Sequence, residues 1–380
     1  LPASAQALGS ASLTHTKIGT IFMTMQAPSA ALALPGDITT LTGGYIYDRL
    51  LLEELRAAGR DMTLVQLPDG FPFPTDRAMT EALNALQELP ADCPVIIDGL
   101  AFGALTTDGV ARIKAPIVAL VHHPLALESG LPEDQQRMLW QTERDNLRHA
   151  AQVLVPSPHT RAILIERYDV PADRVHVALP GIAQPKHQSI TPEAHDGPPL
   201  ILSVGILHPR KGHDVLIDAL ARLADLDWQA VIVGNPWEEG HSAALQDRIN
   251  TFGLAARIRL AGRVSPEELD RLYRQAKVFA LATRYEGYGI VFNEALVHGL
   301  PIVSCRTGAV PDTVPADAGL LVERDDPTAF AAAMRTLLSD SARHAAMATA
   351  ARQKGASLAS WADTARVAGN AIDAAARSRT

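Results

Sequence analysis

Short apolar, β-branched runs alternate with longer helical patterns through nearly all of this 380-residue chain, and one proline-rich stretch interrupts them. That rhythm builds parallel sheets, because a strand parallel to its neighbour is reached only by a long return connection, usually a helix. The first series offers strand candidates at Ile18–Met25, Met62–Leu67, Val95–Asp98, Ile117–His122, Val153–Pro156 and Val175–Ala178. Pro180 to Pro199 then gathers five prolines and two glycines with no period, which marks a linker. The second series follows at Leu200–Val204, Val231–Val233, Ile258–Ala261, Val278–Ala282, Ile302–Ser304 and Leu320–Val322. A chain of this length exceeds what one core organises, so the reading is two doubly wound α/β domains.

The expected layout is a tail over 1–17, a first domain over 18–180, a linker over 181–199, a second domain over 200–360 and a last helix within 361–380 that returns to the first domain. Clear helical patterns run from Tyr45 to Ala58, closed by Gly59, and from Asp134 to His149. Ser265, Pro266 and Glu268 read as a cap, a first helical residue and the far side of a capping box.

Composition narrows the function. A formal charge of −8 leaves no basic surface for nucleic acid, so any anionic ligand must meet a local cluster of cations. Cys93 and Cys305 stand alone in strand-like or proline-flanked settings, which fits free thiols in a reducing compartment and predicts a cytoplasmic protein. No apolar run approaches the ~20 residues of a membrane span, and Leu1 to Lys17 lacks the pattern of a signal peptide.

In doubly wound sheets ligands bind beyond the carboxyl ends of strands, and the informative residues lie there. After the strand ending near Ala282 comes Thr283-Arg284-Tyr285-Glu286-Gly287-Tyr288-Gly289-Ile290-Val291-Phe292-Asn293-Glu294, with Gly299 further on. Gly287 and Gly289 suit a tight turn into a helix whose first turn offers N–H groups to an anion. Glu286 precedes that helix and Glu294 lies roughly 7–8 Å along it at 1.5 Å per residue, so two acceptor-only carboxylates would bracket a bound diphosphate. A lone Glu on a helix is usually structural, and the glycines beside this pair change that reading. Arg210 and Lys211, in a loop after a strand and Gly205, suit a diphosphate clamp. Thr42-Gly43-Gly44-Tyr45 permits close backbone approach at another helix start. His122 and His123 end a strand; a metal is one reading of them, but no HExxH and no cysteine cluster supports it, and a structural histidine is the plain alternative.

The Glu286 to Glu294 run resembles the Glu, seven residues, Glu signature of family-4 retaining glycosyltransferases, which have the GT-B fold. Val204 to Gly212 resembles that family's basic loop, and Gly234, Gly262-Arg263-Val264 and Trp361 fall in family order. The resemblance implies two Rossmann-like domains facing across a cleft, the first for the acceptor and the second for the donor. It implies a hexosyl group moved from a UDP- or GDP-type nucleotide sugar to a hydroxyl acceptor, with no cofactor and no metal. Glu286 would contact the transferred sugar, Glu294 the ribose hydroxyls and the Val264 main chain the base. Gly43, Gly44, Gly205, Gly287, Tyr288, Gly289 and Ile290 would complete the donor site, with Glu286, His122, Arg210 and Lys211 nearest the chemistry. His122 is preferred over His123 with little to separate them. Many members carry Arg where this chain has Ile206, and Arg210 takes that part here. Acceptor selection falls to loops within Phe71–Pro74 and Gly99–Ala104. Lipid acceptors are common in the family, yet the arginines on Asp134–His149 are too few to make a membrane surface.

Rival readings are a nucleotide-sugar 2-epimerase on the same fold and a non-catalytic nucleotide-sugar-binding protein. The first would not need an acceptor, and the second would not need both Glu286 and a cleft histidine. Gly287 to Phe292 half matches the dinucleotide fingerprint but lacks its last glycine, no GxxxxGK[ST] is present, and no lysine suits the pyridoxal phosphate of a phosphorylase.

Overall fold

The computed structural model describes residues 29–128, 130–182, 197–236 and 239–378. Among these residues twelve strands form two six-stranded, wholly parallel sheets. The first sheet holds β1 (Ala30–Pro35), β2 (Met62–Leu67), β3 (Val95–Asp98), β4 (Ile117–Leu120), β5 (Gln152–Val155) and β6 (Val175–Val177), in the order β2-β1-β3-β4-β5-β6. The second holds β7 (Leu200–Val204), β8 (Gln229–Val233), β9 (Ile258–Gly262), β10 (Ala276–Leu281), β11 (Ile302–Cys305) and β12 (Gly319–Val322), in the order β12-β11-β10-β7-β8-β9. Each sheet is buried on both faces, which is why its strands read as continuous apolar runs and not as alternation.

The proposed strand Ile18–Met25 lies outside the described residues, as do the tail 1–17 and the 183–196 part of the linker. The first strand described is Ala30–Pro35, whose alanines are weak strand formers but whose six residues are all buried. Tertiary burial decides its structure where propensity does not. The helix expected from Tyr45 begins at Gly43, so the glycine pair forms its first turn and does not precede it. Gly59 then takes φ +84° beyond its end.

The capping box at Ser265 forms only by half. Ser265 Oγ accepts from the Glu268 N–H at 3.2 Å, but the Glu268 carboxylate turns to Arg271 at 2.9 Å. A complete box stands instead at the start of the helix Trp361–Arg377, between Ser360 and Asp363. That helix packs through Trp361, Ala365, Ala368 and Ile372 into the core beneath β1, beside Tyr47 and Leu51 of the helix Gly43–Ala57. Its entry is tight: a Cβ on Gly181 would sit 2.1 Å from the Trp361 nitrogen. Thr364 Oγ1 donates to the Leu179 carbonyl at 2.7 Å, and Arg60 pairs with Asp373 at 2.7 Å.

Strand order fixes where a ligand can bind. In the first sheet the chain reverses direction of growth between β1 and β3, and in the second between β7 and β10. Such switch points open a crevice at the carboxyl edge of a sheet. Gly43 and Asp98 follow or end β1 and β3, whereas Gly205 and the Thr283–Gly289 segment follow β7 and β10.

Candidate active site

On the second domain, the loop after β7 is bound directly to the loop after β10. Residues Pro209–Lys211 make a single 3-10 turn closed by Gly212, which has φ +63° and no room for a side chain, since a Cβ would lie 1.9 Å from the Ala282 carbonyl. The Arg284 N–H donates to the Arg210 carbonyl at 2.7 Å, and Thr283 Oγ1 reaches the same oxygen at 3.2 Å. Arg284 also pairs with Asp214 at 2.8 Å and Asp325 at 2.7 Å. These ties bring Lys211 Nζ to 2.6 Å from Glu286 Oε1 and the Arg210 guanidinium to 3.8 Å from Glu286 Oε2. Gly205 leaves space for the Lys211 stem, which a Cβ there would meet at 3.4 Å. Burial pushes the Glu286 carboxyl up, but Lys211 and Arg210 outweigh it and hold the group below the usual glutamate range. Ile206 is half-buried in this loop, and the His208 ring accepts from the Arg210 N–H at 3.0 Å.

Gly289 takes φ +85° and starts the helix Ile290–Val297, which Gly299 ends at φ +70°. The Glu286 carbonyl accepts from the Ala309 N–H at 2.9 Å, which braces the turn from β11's side. Tyr288 is fixed at both ends, its hydroxyl by Asn293 Nδ2 at 2.7 Å and its carbonyl by Thr313 Oγ1 at 2.9 Å. Glu294 Oε2 accepts from the Tyr273 hydroxyl at 2.7 Å. Tyr273 stacks on His298 at 4.9 Å, and His298 in turn pairs with Asp270 at 3.1 Å. Burial raises the Glu294 carboxyl, with the Tyr273 hydroxyl and His298 opposing it. Val264 sits half-buried between β9 and the helix Pro266–Gln275, against the second core.

The first domain brings His122 to the opposite wall. A Cβ on Gly44 would meet the His122 ring at 3.4 Å, and a Cβ on Gly287 would lie 2.6 Å from the His122 carbonyl. Three positions far apart in sequence, Gly44, His122 and Gly287, thus converge. His122 Nε2 lies 2.9 Å from Asp48 Oδ1 and 3.4 Å from Asp98 Oδ2, with the Tyr47 ring edge-on at 5.1 Å. His123 faces the cleft on another side: its Nε2 is 3.0 Å from Glu128, and its ring lies 5.9 Å from that of Tyr285. Glu128 then spans the cleft to Arg210 Nε at 3.4 Å.

Asp48, Asp98, Glu128 and Tyr273 were not identified from sequence. Asp48 lies four residues after Gly44 on one helix, hence on its face, and Asp98 ends a strand, so both were within reach of spacing rules. Tyr273 carries no such signal, because it lies on the separate helix Pro266–Gln275. Asp48, Asp98 and His122 each offer one donor atom within 4.8 Å of the others, the one group of three among the described residues that could hold a metal ion. Concavities of about 470 and 460 Å³ lie around Pro116–Ile117 and Ala256–Ile258, at the amino ends of the sheets and away from these residues.

Comparison with known proteins places the chain in a family. The family model described as Glycosyltransferase Family 4 matches residues 52–183, and that described as Glycosyl transferases group 1 matches residues 186–354. The D-inositol 3-phosphate glycosyltransferase of Corynebacterium efficiens is 32% identical over 244 residues, which are 60% of this chain and 57% of the relative. That of Nocardioides sp. is 31% identical over 291 residues, 70% of this chain and 62% of the relative. The matches thus span less than two thirds of these relatives. Among solved structures, sucrose-phosphate synthase from Thermosynechococcus elongatus superposes with a TM-score of 0.72 at 20% identity, over 90% of this chain and 98% of that one. Anabaena HepE in complex with UDP-glucose gives 0.69 at 15% identity, over 90% and 99%. At such identities the structural likeness speaks for the fold, and the two family models, which meet at the linker, speak for descent: the chain belongs to glycosyltransferase family 4 and has the GT-B fold.

Proposed function

We propose that the chain moves a hexosyl group from a nucleotide-diphosphate sugar to a hydroxyl acceptor, with retention of anomeric configuration and without a metal. One observation supports this above the others: Glu286, 4% exposed, is held as a carboxylate by Lys211 and Arg210 at a switch point, directly across from His122 and Gly44. A carboxylate kept ionised suits sugar hydroxyls. The two cations beside it suit a diphosphate that gains charge as the sugar departs, so the protein contributes positioning and charge stabilisation. Glu294, with Tyr273 behind it, would take the ribose hydroxyls. The Val264 main chain would take the base, and Gly43 and Gly44 would approach the phosphates from the other side.

Anabaena HepE, of the same fold, is solved in complex with UDP and with UDP-glucose, so UDP-sugars are the first donors to try, with GDP-sugars beside them. The curated relatives' name makes inositol phosphates the first acceptors to try. The test is release of nucleoside diphosphate from a donor panel, with and without acceptor, and NMR of the product's anomeric centre. Release that depends on acceptor and gives a retained product supports the reading. Conversion of the donor without acceptor would make the protein an epimerase, and binding without turnover would make it a binding protein. Among the described residues no helix is long and apolar enough to cross a membrane.

A further inference from the structure

We propose that Asp48 and Asp98 are positioning residues for His122: they hold its imidazole against the first turn of the helix Gly43–Ala57 and govern whether its other ring nitrogen, Nδ1, accepts or donates a hydrogen bond. The use of that nitrogen in transfer rests on the function proposed above, whereas the state of the ring rests on geometry alone. His122 Nε2 is 2.9 Å from Asp48 Oδ1 and 3.4 Å from Asp98 Oδ2, and the two aspartates are 1% and 5% exposed. An ionised carboxylate only accepts, so Nε2 carries the hydrogen. In the neutral ring Nδ1 is then an acceptor, suited to a sugar hydroxyl. One further proton turns Nδ1 into a donor, suited to a phosphate oxygen.

The groups around the ring come from three directions. The helix Gly43–Ala57 supplies Asp48, the Tyr47 ring and Tyr45, whose hydroxyl is given to the Pro35 carbonyl at 2.7 Å. The end of β3 supplies Asp98, whose Oδ1 also accepts from the Leu100 N–H at 3.0 Å. The second domain supplies Gly287 against the His122 carbonyl, and Glu286 beside it is already paired with Lys211. Burial favours a neutral imidazole, but the two aspartates outweigh it and raise the ring's affinity for its second proton. Asp98, buried and next to Asp48, is itself pushed up to about 7. The charge of Asp98, 3.4 Å from His122 Nε2, therefore bears on whether Nδ1 carries a proton.

The test follows His122 in the whole chain by 15N-histidine NMR against pH, with His122→Gln to assign its signal. Asp48→Asn and Asp98→Asn, each checked by thermal unfolding, are near-isosteric and remove charge. The neutral wild-type ring is expected as the Nε2–H tautomer, and each variant is expected to lower the His122 pKa by about one unit or more, since a carboxylate at this range shifts a neighbour by that much. The pH profile of turnover should move to lower pH in step. If one variant fails to fold, the other carries the same expectation. An unchanged His122 pKa overturns the proposal. Stabilisation of the wild type but not the variants by Mg²⁺ or Mn²⁺ alone also overturns it, because the three side chains would then be metal ligands. Absence of turnover with every donor, beside the expected titration, would defeat the transferase reading and leave the ring assignment standing.

Discussion

The Lys211 ammonium lies 2.6 Å from the Glu286 carboxylate with 12% and 5% of the two side chains exposed, so the ion pair at the second switch point is almost wholly removed from water. Breaking such a pair from one side leaves a buried charge, which costs about 3–5 kcal/mol, whereas neutralising both sides costs much less. Lys211→Ala should therefore destabilise the fold and lower turnover by about 10²–10³-fold, the size seen when one donor to developing negative charge is removed. The double variant Lys211→Met, Glu286→Gln should recover most of the stability and none of the turnover. Urea unfolding beside rate measurements separates the two effects; turnover near wild type in Lys211→Ala would remove the clamp from the mechanism. Because the folded Glu286 carboxyl sits below its ordinary range, its contribution is present above that range and is lost as pH falls through the lower folded value.

Glycines at the cleft should respond differently according to what stands in front of them. A Cβ at Gly287 would meet the His122 carbonyl at 2.6 Å, which is backbone and cannot swing aside. Gly287→Ala should force the two walls apart and cut turnover sharply, with loss of stability as well. Gly43 has nothing within 4 Å of a Cβ, so Gly43→Ala should leave thermal stability within about 0.5 kcal/mol. If the donor diphosphate comes up against this backbone, the same variant raises the donor KM about tenfold or more, the loss of one charge-assisted hydrogen bond worth about 1.5–3 kcal/mol. An unaltered donor KM in Gly43→Ala would take the glycine pair out of the donor site.

Glu294 and Tyr273 share a 2.7 Å hydrogen bond that orients the carboxylate, and they should behave as a graded pair. Glu294→Ala is expected to raise the donor KM about tenfold or more with kcat largely kept, because a ribose contact is made equally in ground and transition states. Tyr273→Phe should move the same constant in the same direction by less. Burial raises the Glu294 carboxyl, so donor affinity should weaken as pH falls through that raised value and the acceptor character of the group is lost. A Glu294→Ala enzyme that loses kcat at unchanged donor KM would assign the residue to the transferred sugar instead.

What could be read from the chain and what could not differ by the range of the contact. Strands buried on both faces announce themselves as apolar runs, and Met62–Leu67, Val95–Asp98 and Leu200–Val204 have the bounds read from sequence. Ala30–Pro35 was invisible because its alanines signal a strand only through the neighbours that bury them. Glu286, Gly287 and Gly289 were legible as a local turn into a helix. Asp48 and Asp98 carried usable local signals, one turn from Gly44 on a helix and at the end of a strand, but their meeting with His122 joins separate elements, and Glu128 reaches Arg210 from the other domain. Spacing rules see one element at a time, and the sheet order that brings β1 and β3 together is set by the whole core.

Glu143 extends this to the loops after β3 and β4 of the first domain. It is fully buried on the helix Glu133–Leu147, its Oε2 accepts from the Leu125 N–H at 3.1 Å, and burial pushes its carboxyl up to about 8. One turn along the same helix, Asn146 Nδ2 donates to the carbonyls of Phe102 and Leu105 at 2.7 and 2.8 Å, so a single helix anchors both the loop after β3 and the loop after β4. The folded protein holds the Glu143 proton where the unfolded chain has released it. Its stabilising contribution is thus complete below the ordinary value near 4.5, declines as pH rises and is gone above about 8. Thermal unfolding between pH 5 and 9 should show this decline in the wild type. Glu143→Gln, which mimics the protonated acid and keeps an acceptor for Leu125, should flatten it and be the more stable protein at pH 9. Parallel curves for the two proteins would show that Glu143 is ionised in the fold and that its buried carboxylate has another partner.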